Sequence, residues 1–423
     1  MTTAELYHLY LEHPFVQTDT RKLKAGDLFF ALRGANYNGN DFAKAALDRG
    51  AVYAIIDEAE YAADDRMILV KDVLTALQQL ARYHRDQFHI PFIAITGSNG
   101  KTTTKELVKA VLSSTYKTCA TEGNLNNHIG IPLTILRIRE ETEIAVIEMG
   151  ANHQKEIEGY CKIVHPTHGL ITNVGKAHLE GFGGIEGVRK GKGELFDHLR
   201  KHEGTAFACS DFDYFKEMAE GIREVVWYGR NGLAEVNGEI KAAEPFISMQ
   251  TNYAGLIPTH LAGDYNSYNV LAAVAVGKYF KVAPGNIKMA VENYIPSNNR
   301  SQLIRQGSNT IIMDAYNANP SSMRAAIENF LHLPAGKKIL MLGAMMELGR
   351  ESLAEHQDLV AFIEKYPWEK VVLVGGDFEK IKHPFVYLPD SIAAKNWLQQ
   401  QHFEQAALLI KGSRGMAMEK ILS

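Results

Sequence analysis

The chain has 423 residues, of which 46% are hydrophobic and 22% charged, and a formal net charge of −4. This length holds about two to four domains, the composition is that of a globular protein, and the mild acidity argues against a general nucleic-acid binder, whose affinity rests on a basic surface. Three scattered cysteines, Cys119, Cys161 and Cys209, fit neither a zinc site nor a disulfide framework, and no apolar run reaches the ~18 residues of a membrane span.

Residues 1–11 mix Glu, His and Tyr with apolar residues, so no signal peptide is expected and a cytoplasmic protein is the default. Short apolar runs at 28–32, 52–56 and 67–70, closed by a helix over 73–83, form a first block, 1–88. A second block, 89–298, opens at Ile90-Pro91 and ends at the turn-rich linker Pro296-Ser297-Asn298-Asn299. The third, 299–423, repeats strand, glycine, helix. Its strands are 310–313, 338–342, 371–374 and 407–410, the last three running into Gly343, Gly375 and Gly412. Strands alternating with helices predict an α/β protein with mostly parallel sheets. Three domains are expected: a small N-terminal α/β domain, a central phosphate-loop ATPase-type domain and a C-terminal Rossmann-like domain.

Most informative is the opening of the second block. A buried strand over 93–95 runs through Thr96 into Gly97-Ser98-Asn99-Gly100, and Lys101-Thr102-Thr103-Thr104 then starts a helix. Backbone N–H groups of such a loop wrap a phosphate, and the helix N-terminus adds positive potential. Lys101 would neutralise phosphate charge and the Thr102 hydroxyl could reach a magnesium ion. The pattern departs from its commonest form, since Ile95 stands where a first glycine is usual. Leu107, Val108, Val111 and Leu112 mark the buried face of the helix, with Lys105 and Lys109 falling off it.

Ligands of open α/β sheets bind beyond the carboxyl ends of strands. Glu148 follows the strand 144–147 at once and could hold magnesium, although a solvated strand-end carboxylate looks the same in sequence. His178 lies beyond the strand 169–172, where a structural histidine is the commoner finding. Spacing alone does not single out Lys192 in Arg189-Lys190-Gly191-Lys192-Gly193-Glu194.

Several motifs together resemble one family, the Mur ligases, ATP-dependent amide-forming enzymes of peptidoglycan precursor synthesis. They are the loop 96–104, Thr18-Asp19-Thr20-Arg21-Lys22 with Gly26-Asp27-Leu28-Phe29, Gly123-Asn124-Leu125-Asn126-Asn127, Glu148-Met149-Gly150-Ala151-Asn152, the segment 173–181, Asp314-Ala315-Tyr316-Asn317-Ala318-Asn319-Pro320, and Lys411-Gly412-Ser413-Arg414. The similarity spans essentially the whole chain. It is greatest to those members that join D-Ala-D-Ala to UDP-N-acetylmuramoyl-tripeptide (UDP-MurNAc-tripeptide) through an acyl phosphate.

The resemblance implies roles by matched position. Gly97, Ser98, Asn99, Gly100, Lys101, Thr102 and Thr103 would bind ATP, with Asn269 on the adenine side. Arg300, Asp314 and Asn317 would close over the nucleotide. Thr102, Glu148, His178 and Lys192 would hold Mg2+, Lys192 as a carbamate. Thr18, Asp19 and Arg21 would bind the uridine end, and Asn124, Asn126 and Asn152 the rest of that substrate. Lys101, Lys192 and His178 would carry the chemistry. A monomer with no nucleic-acid partner is expected. The chain departs from the family pattern at Asn40, where histidine is common, at Ala344, where aspartate is, and at Asn299, where glycine is. Rival readings are another ligase of the superfamily, acting on a dipeptide precursor or a folate, a nucleotide-gated binding protein without turnover, and a small-molecule phosphate-loop kinase.

Overall fold

A computed structural model describes residues 1–243, 245–297 and 299–423. Asn298 of the expected linker lies outside the described residues.

The first block forms a small parallel sheet in the order Val16–Gln17, Leu28–Phe30, Tyr53–Ile56, Met67–Leu69. Its opening helix, Thr3–Glu12, has a reciprocal cap in which Thr2 and Glu5 satisfy each other's backbone N–H groups. The helix expected over 73–83 runs over Val73–Arg85 and is capped by Asp72, whose carboxylate accepts from Thr75 N at 2.7 Å. By sequence it closes the first block, but it packs on central-domain helices. Arg85 extends from its last turn to the carbonyls of Val164 and His165, at 2.6 and 2.8 Å. The Tyr10 hydroxyl donates to Leu136 O at 2.6 Å, joining the two domains again.

The central sheet, among the described residues, runs in the order Gly255–Pro258, Ser248–Thr251, Val236–Ala242, Glu224–Gly229, Thr205–Cys209, His168–Ile171, Phe92–Thr96, Ile144–Glu148, Thr118–Ala120. The strands from Thr118–Ala120 to Val236–Ala242 are parallel, and the last two of the far edge are antiparallel additions that the alternation rule gave no reason to expect. Phe92–Thr96 is buried throughout and lies between His168–Ile171 and Ile144–Glu148, so the chain reverses its direction of travel across the sheet on either side of the phosphate loop.

The helix Lys101–Ser113 buries Leu107, Val108, Val111 and Leu112 as expected. Lys105 does not fall off the buried face. It is 0% exposed and pairs with Glu106, because the helices Asn266–Tyr279 and Pro284–Glu292 cover two further sides.

The third block is a sheet in the order Gln302–Gln306, Asn309–Asp314, Ala406–Lys411, Lys337–Gly343, Lys370–Val374, Val386–Leu388. It is parallel apart from its first strand. All four expected strands are present, each slightly longer than its apolar run. Neither edge strand is expected from the sequence: Gln302–Gln306 has only two apolar residues between polar ones, and Val386–Leu388 is just 3 residues long.

Candidate active site

The phosphate loop is shaped by two glycines. Gly97 has φ +139° and Gly100 φ +79°, and a Cβ at Gly100 would lie 2.6 Å from Asn269 Oδ1. The neighbouring 173–178 segment is bonded to this loop. Ser98 Oγ donates to Gly175 O at 3.0 Å, Asn99 N donates to Asn173 Oδ1 at 3.0 Å, and Thr172 Oγ1 donates to Asn99 O at 2.6 Å. The Lys101 ammonium folds over the loop and donates to the carbonyls of Gly97 and Ser98, at 2.7 and 3.1 Å. Burial pushes its pKa down to about 8, opposed by Glu148 and reinforced by Arg300.

Glu148 is 1% exposed at the end of its strand. Its Oε1 accepts from Thr102 Oγ1 at 3.0 Å and from Asn126 Nδ2 at 2.7 Å. Its Oε2 is buried and has no donor among the described residues. An unpaired buried carboxylate oxygen is costly unless a cation faces it. Among the described residues no three His, Cys, Asp or Glu side chains converge on a metal-sized point. The donors present, one buried carboxylate bonded to the Thr102 hydroxyl, are hard oxygens of the kind magnesium takes.

Lys192 is 1% exposed and is absent from the cavity lining, to which Ala151 belongs. Its Nζ donates to Ala151 O at 3.0 Å and sits 4.8 Å from the centre of the Phe182 ring. Burial first, then the charge of Lys101, holds its ammonium well below the ordinary lysine range, which favours the neutral amine. His178 also lines the cleft, in left-handed backbone at φ +52°. Its Nδ1 is 2.5 Å from Glu347 Oε2 of the third domain, without the angle of a hydrogen bond.

The third domain closes the cleft. Asn319 Nδ2 donates to Asn99 Oδ1 at 2.8 Å. Arg300 stacks its guanidinium 3.6 Å over the Tyr316 ring, and Arg414 sits 5.2 Å from the same ring. Asp314 Oδ2 accepts from Lys411 Nζ at 2.5 Å. The resulting cavity holds about 760 Å³. Phe212, Tyr214 and Tyr268 form an aromatic wall at one end, and Asn126, His128, Asn152 and Tyr160 line another part.

Of the residues singled out in the sequence, Ser98, Asn99, Gly100, Lys101, Thr102, Thr103, Asn126, Glu148, Asn152, His178, Asn269, Arg300, Asp314 and Asn317 line this cavity. Gly97 shapes the loop beneath it. Asn269 spends its amide inward, accepting from Thr104 Oγ1 at 3.0 Å and donating to Asn266 Oδ1 at 2.7 Å. Asn124 is exposed beside the cavity lining. Thr18, Asp19 and Arg21 lie in a first-domain loop outside it, where Asp19 and Arg21 pair with each other at 2.8 Å. Asn40, the departure from the family pattern, is 1% exposed and bonds Asp57 through both ends of its amide. Lys411, Tyr316, Glu347 and the aromatic wall were not singled out for roles. Lys411 follows a strand end and could have been; the aromatics are brought in by the fold alone.

A phosphate loop, a buried carboxylate with a free oxygen and a third domain folded over both define a nucleotide-dependent enzyme built from three α/β domains. Three family descriptions match it in chain order: Mur ligase family, catalytic domain (residues 13–85), Mur ligase middle domain (95–277) and Mur ligase, glutamate ligase domain (299–414). The chain is 35% identical over 422 residues to the UDP-N-acetylmuramoyl-tripeptide–D-alanyl-D-alanine ligase of Bacillus subtilis (strain 168), covering 96% of this chain and 92% of that one. It resembles a crystal structure of MurF from Acinetobacter baumannii with a TM-score of 0.88 and 31% identity, over 100% of this chain and 97% of the other. MurF from Thermotoga maritima, solved in complex with ADP, matches with a TM-score of 0.86 and 27% identity, over 97% of each chain. The chain belongs to the Mur ligase family, in its MurF group, and is a ligase.

Proposed function

We infer that the protein joins D-Ala-D-Ala to UDP-N-acetylmuramoyl-tripeptide with ATP, forming ADP, phosphate and the pentapeptide precursor of peptidoglycan. The reading rests on one observation above the others: Lys101, Thr102 and Glu148, whose Oε2 is buried without a donor among the described residues, line one cleft closed by a third domain. Full-length likeness to ligases named for these two substrates supports the choice of acceptor and amine. The ADP complex of a MurF structure supports ATP as the nucleotide.

A carboxylate is a poor acyl donor, so it is activated first. The tripeptide carboxylate attacks the γ-phosphorus of ATP, and ADP leaves. The D-Ala-D-Ala amine attacks the acyl phosphate, and phosphate leaves as the amide forms. Lys101 faces charge developing on the transferring phosphoryl group. The loop N–H groups and Thr103 orient the phosphates, and the aromatic wall beside Asn269 offers a flat apolar surface to the base. Arg300, Asp314 and Asn317 bring the third domain onto the nucleotide, and closure keeps water from the acyl phosphate. Thr102 would hold Mg2+ at the phosphates, with Glu148, His178 and a carbamate on Lys192 at a second ion; bound metal would supply Lewis-acid stabilisation of phosphate charge. Thr18, Asp19 and Arg21 would take the uridine end, and Asn124, Asn126 and Asn152 the remainder of that substrate.

The three domains act as a platform for the UDP substrate (1–88), an ATP-binding domain (89–298) and a closing domain that receives D-Ala-D-Ala (299–423). The protein would act as a monomer. No helix among the described residues is long and apolar enough to cross a membrane, in keeping with a cytoplasmic enzyme.

Purified protein should release phosphate from ATP only when UDP-MurNAc-tripeptide and D-Ala-D-Ala are both present. Turnover with the UDP-dipeptide and a diamino acid, or with a folate and glutamate, would overturn the assignment.

A further inference from the structure

Glu355 is a carboxylate buried to 8% exposure on the third-domain helix Ser352–Ile363. Its described ion-pair partner comes from another domain: Lys176 Nζ lies 2.5 Å from Glu355 Oε1. Lys176 belongs to the 173–178 segment, which is tied to the phosphate loop through Ser98, Asn99 and Thr172. The Lys176 backbone N–H also donates to Ser321 Oγ of the third domain at 3.2 Å. A continuous set of contacts therefore runs from the loop that would hold the phosphates, through 173–178, to the domain that closes. Lys176 itself is absent from the cavity lining.

We propose that Lys176 and Glu355 are positioning residues, an interdomain latch that ties the third domain's closed position to the phosphate loop. Neither touches the reacting atoms. The pair exists only while the domains are together, so it stabilises the closed arrangement relative to the open one. Glu355 is buried and Lys176 half exposed, so water screens the pair from the lysine side only. A phosphate loop ordered by nucleotide holds 173–178 in place and so presents Lys176 to Glu355. The latch rests on the ligase reading only where turnover is measured.

The test compares full-length protein with Glu355→Gln, Lys176→Met, the double variant and Lys176→Arg. Small-angle scattering with Mg2+ and the non-hydrolysable β,γ-imido analogue of ATP reads closure without any acceptor or amine. The parent and Lys176→Arg should contract on adding the nucleotide, and the other three should contract less. In turnover, kcat should fall ~5-fold in each single variant and no further in the double, because the two side chains act as one pair. KM for ATP should change less than kcat, and the nucleotide-free melting temperature should stay at the parental value. Parental contraction in both single variants, or losses that add in the double, would overturn the latch. An inactive parent that still contracts by this pattern would sink the substrate assignment and leave the latch standing. Normal ligation with unaltered contraction in the variants would do the reverse.

Discussion

At the scale of single residues, the site turns on groups whose surroundings contradict their ordinary chemistry. Lys192 is a lysine held in apolar surroundings beside Phe182, and Glu148 keeps one buried oxygen free. If Lys192 acts as a carbamate, Lys192→Ala should lose ligase activity by ~100-fold or more and regain part of it with added short carboxylic acids. Full activity in that variant without additives would exclude the role. Gly100 is constrained twice, by φ +79° and by Asn269 Oδ1 behind it. Gly100→Ala should therefore cost about 1–3 kcal/mol of stability, read as a lower urea midpoint, and depress turnover as the loop shifts. These constraints differ in how visible they are in sequence. A glycine directly before Lys-Thr at the start of a helix announces itself as a loop glycine. Nothing in Arg189-Lys190-Gly191-Lys192 distinguishes the one lysine that ends up buried.

Elements were read best where both faces are covered or where caps are strong. The strand Phe92–Thr96 and the Asp72-capped helix are examples. Elements at sheet edges were read worst, because an edge strand needs no continuous apolar run and its pairing depends on a distant neighbour. The helix Val73–Arg85 carries a pH-sensitive group, His84, which is 5% exposed with Nε2 3.0 Å from Ile138 O. Burial pulls its pKa from 6.5 to about 4. The unfolded chain then binds more protons than the folded one between these values, so stability falls as pH drops from 6.5 towards 4. His168 and His198 are pulled to about 4 by the same cause and add to the slope. The melting temperature should decline across this window, and less steeply in His84→Gln. An equally steep decline in that variant would exclude His84 as a contributor.

For the whole molecule, what matters is how three domains meet. Arg85 is 7% exposed and donates to the carbonyls of Val164, Phe88 and His165, with its guanidinium 3.7 Å over the Phe92 ring. Removing it leaves those carbonyls short of a donor where the first and central domains join. Arg85→Ala should cost about 3 kcal/mol, and hydrogen exchange should speed up in Val73–Arg85 before it does in the central strands. Uniformly parental exchange would mean that the seam does not depend on this side chain.

The sequence by itself determined the three-block order, the phosphate loop and the strand-end placing of Glu148, because these follow from local periodicity and from glycines within a few residues of one another. Its motifs, taken together, also carried the likeness to the Mur ligases. Only the tertiary structure decided that Lys105 is buried, that Glu148 keeps a free oxygen, that Glu347 reaches His178 and that Glu355 pairs with Lys176. Each of those depends on segments far apart in the chain arriving at one point, and such meetings are set by packing between domains, which no local pattern records.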